Sequence, residues 1–331
     1  MFPLISIVIP FYNSEESIED WLKAVFQSSY KNYEVIAVSD GSKDKSLKIA
    51  KKFPCKIISS KKNYGSGHAR NRGAKFAKGK IIVFLDSDVI IKKKHLQTIF
   101  NFFTKKNYKL AQGIYEHKPS YKKISTQYLQ SYQCFYIFSK KIKFINNLVS
   151  NFFIINKRIF FEVGGFDPKF IGANAEDADL GYRLINKGYK IPILRKLNVF
   201  HKVNFGLGTF ISKIIRIHTG EMKMFIRKKN ILKKVSQNNY KPIITAIILL
   251  FIQILFLFIN IFFEFKFFLV FLITLNVIFL LSQINFIKFL LRTKGFKITM
   301  KCIPFIYLHI GLFIYSFFSG FIEYFVFKKK Y

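Results

Sequence analysis

Two carboxylates one residue apart, Asp86 and Asp88, follow directly on five apolar residues, Ile81–Leu85. An uninterrupted apolar run of that length reads as a strand buried on both faces, as in parallel sheets. The carboxylates then stand at its carboxyl end, the edge where open α/β sheets take their ligands. Side by side they repel unless a cation joins them. Hard divalent cations such as Mg²⁺ or Mn²⁺ take oxygen ligands and often complete their shell with phosphate oxygens. The chemistry suggested is a metal–diphosphate site. Asp-Ser-Asp is also good turn and helix-cap material, so the surrounding elements must decide between the two.

Residues 4–9, 33–38 and 55–59 read as further strands. Helices are expected at 15–27, from Ser42 to Lys52, and within 65–78. Strand and helix thus alternate four times in about 90 residues, the pattern of a doubly wound, mostly parallel α/β sheet. The strands end in Tyr12 and Asn13, in Asp40, and in Asp86 and Asp88, which should converge on one crevice. Later strands are expected at 109–115, 152–156, 191–194 and 198–201, with helices at 121–138 and 176–187. Gly188 stops the second of these. Residues 205–229 read as a basic helix lying against a membrane.

That membrane is implied by the last third of the chain. Residues 243–263 and 267–287 are uncharged runs, each matching the roughly 20 residues that cross a bilayer core. Glu264 and Lys266 separate them, so they read as a helical hairpin. A third candidate, 303–327, precedes Lys328, Lys329 and Lys330. Three crossings from a cytosolic domain would put those lysines outside, against the positive-inside rule, unless the last segment re-enters. The expected division is a cytosolic domain at 1–204, a basic interfacial linker at 205–242 and a transmembrane region at 243–331.

The net charge of +36 invites a nucleic-acid reading. Neither an aromatic RNA-binding segment nor a Gly-X-X-Gly clamp stands in a convincing setting. The abundance of Lys alongside Ile, Asn, Phe and Tyr fits AT-rich coding. The partner expected for the charge is an anionic membrane surface, at about 1 kcal/mol per nearby Lys or Arg. Cys55, Cys134 and Cys302 lack zinc-ribbon spacing and point to a reducing compartment. The N-terminal stretch reads as a strand and not as a signal peptide. The catalytic part is therefore expected in the cytosol, on a multi-pass protein of the cell (inner) membrane.

Five segments, in order, carry a resemblance: Ile9-Pro-Phe-Tyr-Asn13, Val38-Ser-Asp-Gly-Ser42, Asn63-Tyr-Gly-Ser-Gly-His-Ala-Arg-Asn71-Arg-Gly73, Leu85-Asp-Ser-Asp88, and Gly164-Gly-Phe-Asp167 followed by Glu176-Asp177. The chain resembles a family 2 glycosyltransferase of the glycosyltransferase A fold with C-terminal membrane helices. The resemblance implies a nucleotide-diphosphate sugar, UDP- or GDP-linked, bound at the strand ends. Pro10, Tyr12 and Asp40 would contact base and ribose, and Arg70 the nucleotide or diphosphate. Asp86 would meet the donor sugar or ribose. Asp88 would ligate Mn²⁺ or Mg²⁺, with His201 completing the shell. Asp177 would be the general base of an inverting displacement, and Glu176 an acceptor contact or its support.

Structural readings stand beside these. Asp177 could be a helix cap or dipole partner, Arg70 a surface residue of a basic helix, and His201 a buried hydrogen-bonded side chain. Asp179 fits an i,i+4 pair with Arg183. The family commonly has two acids before Gly-Ser, but Ser39 takes the first place here. Processive synthases carry Gln-X-X-Arg-Trp; this chain has Lys213-Ile-Ile-Arg216-Ile217, so transfer of a single sugar is expected. The membrane segments point to a lipid-linked acceptor, either a polyprenyl phosphate or a growing polyprenyl-diphosphate glycan. A nucleotidyltransferase would want a Gly-rich loop after the first strand, which Pro10-Phe-Tyr-Asn13 is not. A membrane-anchored, non-catalytic scaffold is the remaining alternative. Ser39 favours it, and the joint presence of Asp40, Asp86, Asp88 and Asp177 opposes it.

Overall fold

The computed structural model describes residues 4–116, 121–139, 142–145, 148–170, 175–227, 241–262 and 268–329. Its first half runs β1 (Ile5–Phe11), α1 (Ile18–Phe26), β2 (Tyr33–Ser39), α2 (Ser46–Ala50), β3 (Lys56–Ser59), α3 (Ser66–Phe76), β4 (Ile81–Leu85). There follow β5 (Val89–Ile90), α4 (His95–Lys105), β6 (Leu110–Tyr115), α5 (Ile124–Ser139), β7 (Phe144–Ile145), β8 (Phe152–Asn156), α6 (Lys157–Glu162), α7 (Glu176–Asn186) and β9 (Ile191–His201). Five described helices close the chain: α8 (Leu207–Arg227), α9 (Lys241–Phe262), α10 (Phe268–Ser282), α11 (Ile284–Lys294) and α12 (Phe296–Phe325).

The sheet order is β3-β2-β1-β4-β8-β6-β9-β5, with β7 on β9. Strands β3, β2, β1 and β4 are parallel. Strand β8 enters antiparallel between β4 and β6, so the sheet is mixed. Residues of β1 alternate between two cores. Ile5, Ile7 and Ile9 pack with Trp21 and Leu96 on one face. Val8 packs with Phe84, Phe153 and Phe166 on the other. Every residue of β1 and β4 is buried, as their apolar runs require.

Two expected strands, 191–194 and 198–201, are one strand of 11 residues. The polar Arg195-Lys196 stretch reads as a break in sequence. In the fold Lys196 is exposed and the half-buried Arg195 donates to the carbonyls of Ile137 and Ile142, beside a register shift against β6 between Gln112 and Ile114. The expected helix at 15–27 starts later, at Ile18. Residues 14–17 are spent on turn bonds, including Glu15 N–H to Asp44 Oδ2 at 2.9 Å.

Helix α3 lies close on the sheet through Gly73. A Cβ there would fall inside van der Waals contact of Val8 Cγ1 and 3.1 Å from Val38 Cγ2. Gly73→Ala is expected to destabilise by about 1–3 kcal/mol through overpacking, seen as a lower melting temperature in detergent. An unchanged melting temperature would mean that α3 can shift without penalty.

The helical part differs from three like spans. Helix α12, of 30 residues, is long and apolar enough to cross a bilayer by itself. It begins at Phe296, earlier than the 303 expected. The expected span 267–287 breaks at Gln283, where α11 leaves α10 at 65°. Residues 244–259 form a shorter apolar helix within α9. The Glu264–Lys266 interruption and residues 228–240 of the expected linker lie outside the described residues. Helix α8 is tied to α12 by Lys223 Nζ–Glu323 Oε2 at 2.5 Å and by His218 Nε2 to His309 Nε2 at 3.2 Å. His309 Nδ1 in turn meets Tyr128 Oη of α5 at 3.0 Å.

Candidate active site

The parallel strands end at a crevice whose far side is built by the start of α7 and the end of β9. Arg70 of α3 joins two of these elements. Its Nη2 lies 2.6 Å from Asp86 Oδ1, just past β4, and its Nη1 lies 3.5 Å from Glu176 Oε1 at the start of α7. Ser66 Oγ donates to the same Glu176 oxygen at 2.6 Å. The guanidinium sits 5.4 Å from the Phe166 ring centroid, and both Arg70 and Glu176 are buried. Burial opposes the charge on Arg70, but Asp86 and Glu176 outweigh it and hold its pKa above the ordinary value. Arg70 is thus not a surface residue; it is the cation of a three-element junction.

Asp177 follows Glu176 on the same turn. Its Oδ1 accepts from Ala178 N–H at 2.8 Å and its Oδ2 from Ser150 N–H at 3.3 Å. Burial, aided by the neighbouring Glu176 carboxylate, pushes its pKa up to about 7. A carboxyl poised there is suited to general-base work at neutral pH. Asp179 is the structural acid of this helix. It pairs with Arg183 Nε at 2.8 Å, and Arg183 also donates to the carbonyls of Val163 and Gly165. Those bonds fix the Gly164-Gly165 turn, where both glycines have positive φ. Asn71 completes the brace, its amide exchanging two hydrogen bonds with the Phe166 backbone.

Asp88 and His201 form a second cluster. β5 pairs with the end of β9, placing Val89 opposite His201. His201 Nε2 lies 3.1 Å from Asp88 Oδ2. Burial works against the Asp88 charge. The His201 ring and, at longer range, Lys213 overcome it, and hold the carboxyl below its ordinary value. Tyr115 and Lys213 each feel both Asp86 and Asp88, which places the two acids in one electrostatic neighbourhood.

Asp40 is engaged with the backbone of the loop after β3. Its carboxylate accepts from Tyr64 N–H at 3.1 Å and from Gly65 N–H at 2.7 Å. It therefore holds the loop that opens α3, where Gly65 has φ +97°. Ser39 is buried, and among the described residues its hydroxyl has no partner. Pro10 is buried in β1, while Tyr12 beyond it is 45% exposed at the crevice rim. Sequence reasoning named these residues but missed Tyr115, Gln130 and Ser66. It marked Lys213 only as a departure from a processive motif.

Asp88 and His201 suit a hard divalent cation by chemistry. Asp88 Oδ1 is buried without a hydrogen-bond partner among the described residues, and the acid is beside an imidazole. Among those residues no three His, Cys, Asp or Glu side chains form a complete cage. Mg²⁺-type sites often need only one or two carboxylates, with substrate phosphates supplying further oxygens.

Sheet order and site residues together define the glycosyltransferase A fold. A solved structure agrees: mannosyltransferase PcManGT from Pyrobaculum calidifontis, in complex with GDP-Man and Mn²⁺, superposes with a TM-score of 0.63 over 98% of this chain and 88% of that one, at 13% identity. Residues 6–169 match the family model described as glycosyl transferase family 2, so the chain carries a domain of that family. An uncharacterized glycosyltransferase of Haemophilus influenzae is 36% identical over 118 residues, which is 34% of this chain and 47% of that one. The chain thus spans less than half of that relative's length. The Escherichia coli UDP-Glc:alpha-D-GlcNAc-diphosphoundecaprenol beta-1,3-glucosyltransferase WfaP is 27% identical over 256 residues, covering 73% of this chain and 90% of that one.

Proposed function

We propose that the chain is a metal-dependent, inverting hexosyltransferase that moves one sugar from a UDP- or GDP-sugar to a lipid-linked acceptor at the cytosolic membrane face. Residues 1–204 would be the catalytic domain, 205–242 the interfacial linker and 243–331 the membrane region. The observation that carries this reading is the Arg70 junction. It brings Asp86 at the donor edge and the Glu176-Asp177 turn to one place. The lipid-linked acceptor is supported by α12 and by the substrate named for the Escherichia coli relative. That name also favours a growing glycan over polyprenyl phosphate itself.

In this reading Asp177 takes the proton of the acceptor hydroxyl while that oxygen attacks the anomeric carbon. The anomeric C–O bond to the diphosphate breaks, and its electron pair leaves on the diphosphate. A single base with no protein nucleophile gives inversion. Asp88 and His201 would hold the divalent cation, which when bound neutralises the leaving diphosphate. Arg70 holds Asp86 in place through their ion pair, and Asp40 shapes the loop against which the nucleotide rests. Tyr12 at the rim offers a face for the base.

Binding of UDP- and GDP-sugars in detergent, with and without Mn²⁺ or Mg²⁺, tests the proposal. One nucleotide class should bind with metal and lose that dependence in Asp88→Asn. The anomeric configuration of the product, read by proton NMR, should be opposite to the donor's. A folded protein that binds no nucleotide sugar would instead support the scaffold reading.

A further inference from the structure

The end of β9 poses a tautomer problem. His201 lies with Nε2 3.1 Å from Asp88 Oδ2 and Nδ1 2.9 Å from the amide nitrogen of Gln130 on α5. Its ring is stacked on Tyr115, centroids 4.4 Å apart and planes 1° from parallel, so it has little freedom to turn. Gln130 and His201 are both buried. The Gln130 amide N–H donates to Nδ1. The ring proton must then be on Nε2, where it donates to Asp88. That tautomer leaves no lone pair on Nε2 for a cation.

Gln130 Oε1 and Asp88 Oδ1 are both buried and accept no hydrogen bond among the described residues. Both unused acceptors flank the same imidazole. A half-turn of the Gln130 amide, whose oxygen and nitrogen are nearly the same size, puts Oε1 against Nδ1. Oε1 then accepts an N–H from Nδ1, and one proton has moved from Nε2 to Nδ1. Nε2 becomes a lone pair, and both Asp88 oxygens are free to face a cation. Ligating histidines commonly donate their other N–H to such an acceptor, which fixes tautomer and orientation. A glutamine can do both: donate to Nδ1 in one orientation, and accept from it in the other.

We propose that Gln130 is a positioning residue that sets the tautomer of His201 and so governs how tightly the crevice holds a divalent cation. The inference rests on the assignment of Asp88 and His201 to that cation. It is tested with the full chain in detergent by titrating Mn²⁺ calorimetrically, with UDP or GDP present. Wild type, Gln130→Leu, Gln130→Glu and Asp88→Asn are compared, and melting curves confirm folding.

Gln130→Leu should weaken Mn²⁺ binding about 10–100-fold, the usual cost of losing an outer partner. Gln130→Glu keeps an acceptor at Nδ1 and should bind at least as tightly as wild type. If Gln130→Leu matches wild type while Asp88→Asn loses Mn²⁺, the role of Gln130 is overturned and the metal assignment stands. If Gln130→Leu and Gln130→Glu lose Mn²⁺ equally, the acceptor role is likewise overturned. If Asp88→Asn binds Mn²⁺ as wild type does, or wild type binds none, the metal assignment falls and the inference with it.

Discussion

Replacing Asp177 with Asn is expected to lower turnover by about 10²–10⁴-fold, the usual contribution of a positioned general base. Donor binding should survive, because Asp177 makes its bonds to Ala178 and Ser150 backbone and to none of the donor-side residues. The pH profile carries a second signature. The base works as the carboxylate, and its pKa is raised to about 7, by burial first and Glu176 second. The wild-type rate should therefore rise with pH through about 7 and level off above it. The Asn variant should lose that limb. The sign for stability runs the other way. An acid whose pKa is raised by folding favours the fold when protonated, and that contribution fades as pH climbs from about 4 through 7. A rate in Asp177→Asn equal to wild type, or a limb that persists in the variant, would sink the assignment.

Removing Arg70 should give the largest structural effect. Arg70→Met leaves Asp86 and Glu176 near each other without their common cation. Breaking one side of a buried ion pair costs about 3–5 kcal/mol. Asp86 is about a third exposed, so water absorbs part of this and the lower end is expected. Melting temperature and yield in detergent report it. Arg70→Lys should recover only part of the loss, since an ammonium cannot fork to two carboxylates as a guanidinium does. A melting temperature indifferent to both changes would show that the junction does not hold α3, β4 and α7 together.

Legibility in the sequence followed the range of the interaction. Strand β4 was readable to the residue, because a five-residue apolar run against charged flanks admits little else. The Asp179–Arg183 pair was readable because i and i+4 meet on any helix. The two-sided role of Arg70 was not, since its second partner stands 106 positions away. Gln130 was equally hidden, 71 positions from His201 on a helix whose pattern marks it only as polar. The continuity of β9 was masked by Arg195 and Lys196, which look like a loop until β6 is alongside. Hydropathy averaged over the bend at Gln283, though Ser282 and Gln283 are the polar pair in that run. The resemblance pointed to the acids as a group, and only the fold shows that Asp40 accepts from the backbone amides of Tyr64 and Gly65.

The sheet order also sets a schedule for a chain leaving the ribosome. Strands β1 to β4 can pair with one another as soon as they emerge, because each parallel partner comes from the preceding 80 or so residues. The outer edge of β4 must wait for β8, roughly 70 residues later. At about 5–20 residues per second, five bare apolar residues and their open backbone groups stand exposed for about 3–14 s. Such an edge invites pairing with a neighbouring nascent chain. Lys78 and Lys80 on one side and Asp86 and Asp88 on the other are placed to repel a neighbouring copy of the strand that pairs in parallel register. The acids of the crevice would then serve the polypeptide before it has an active site at all, as guards of its most vulnerable strand.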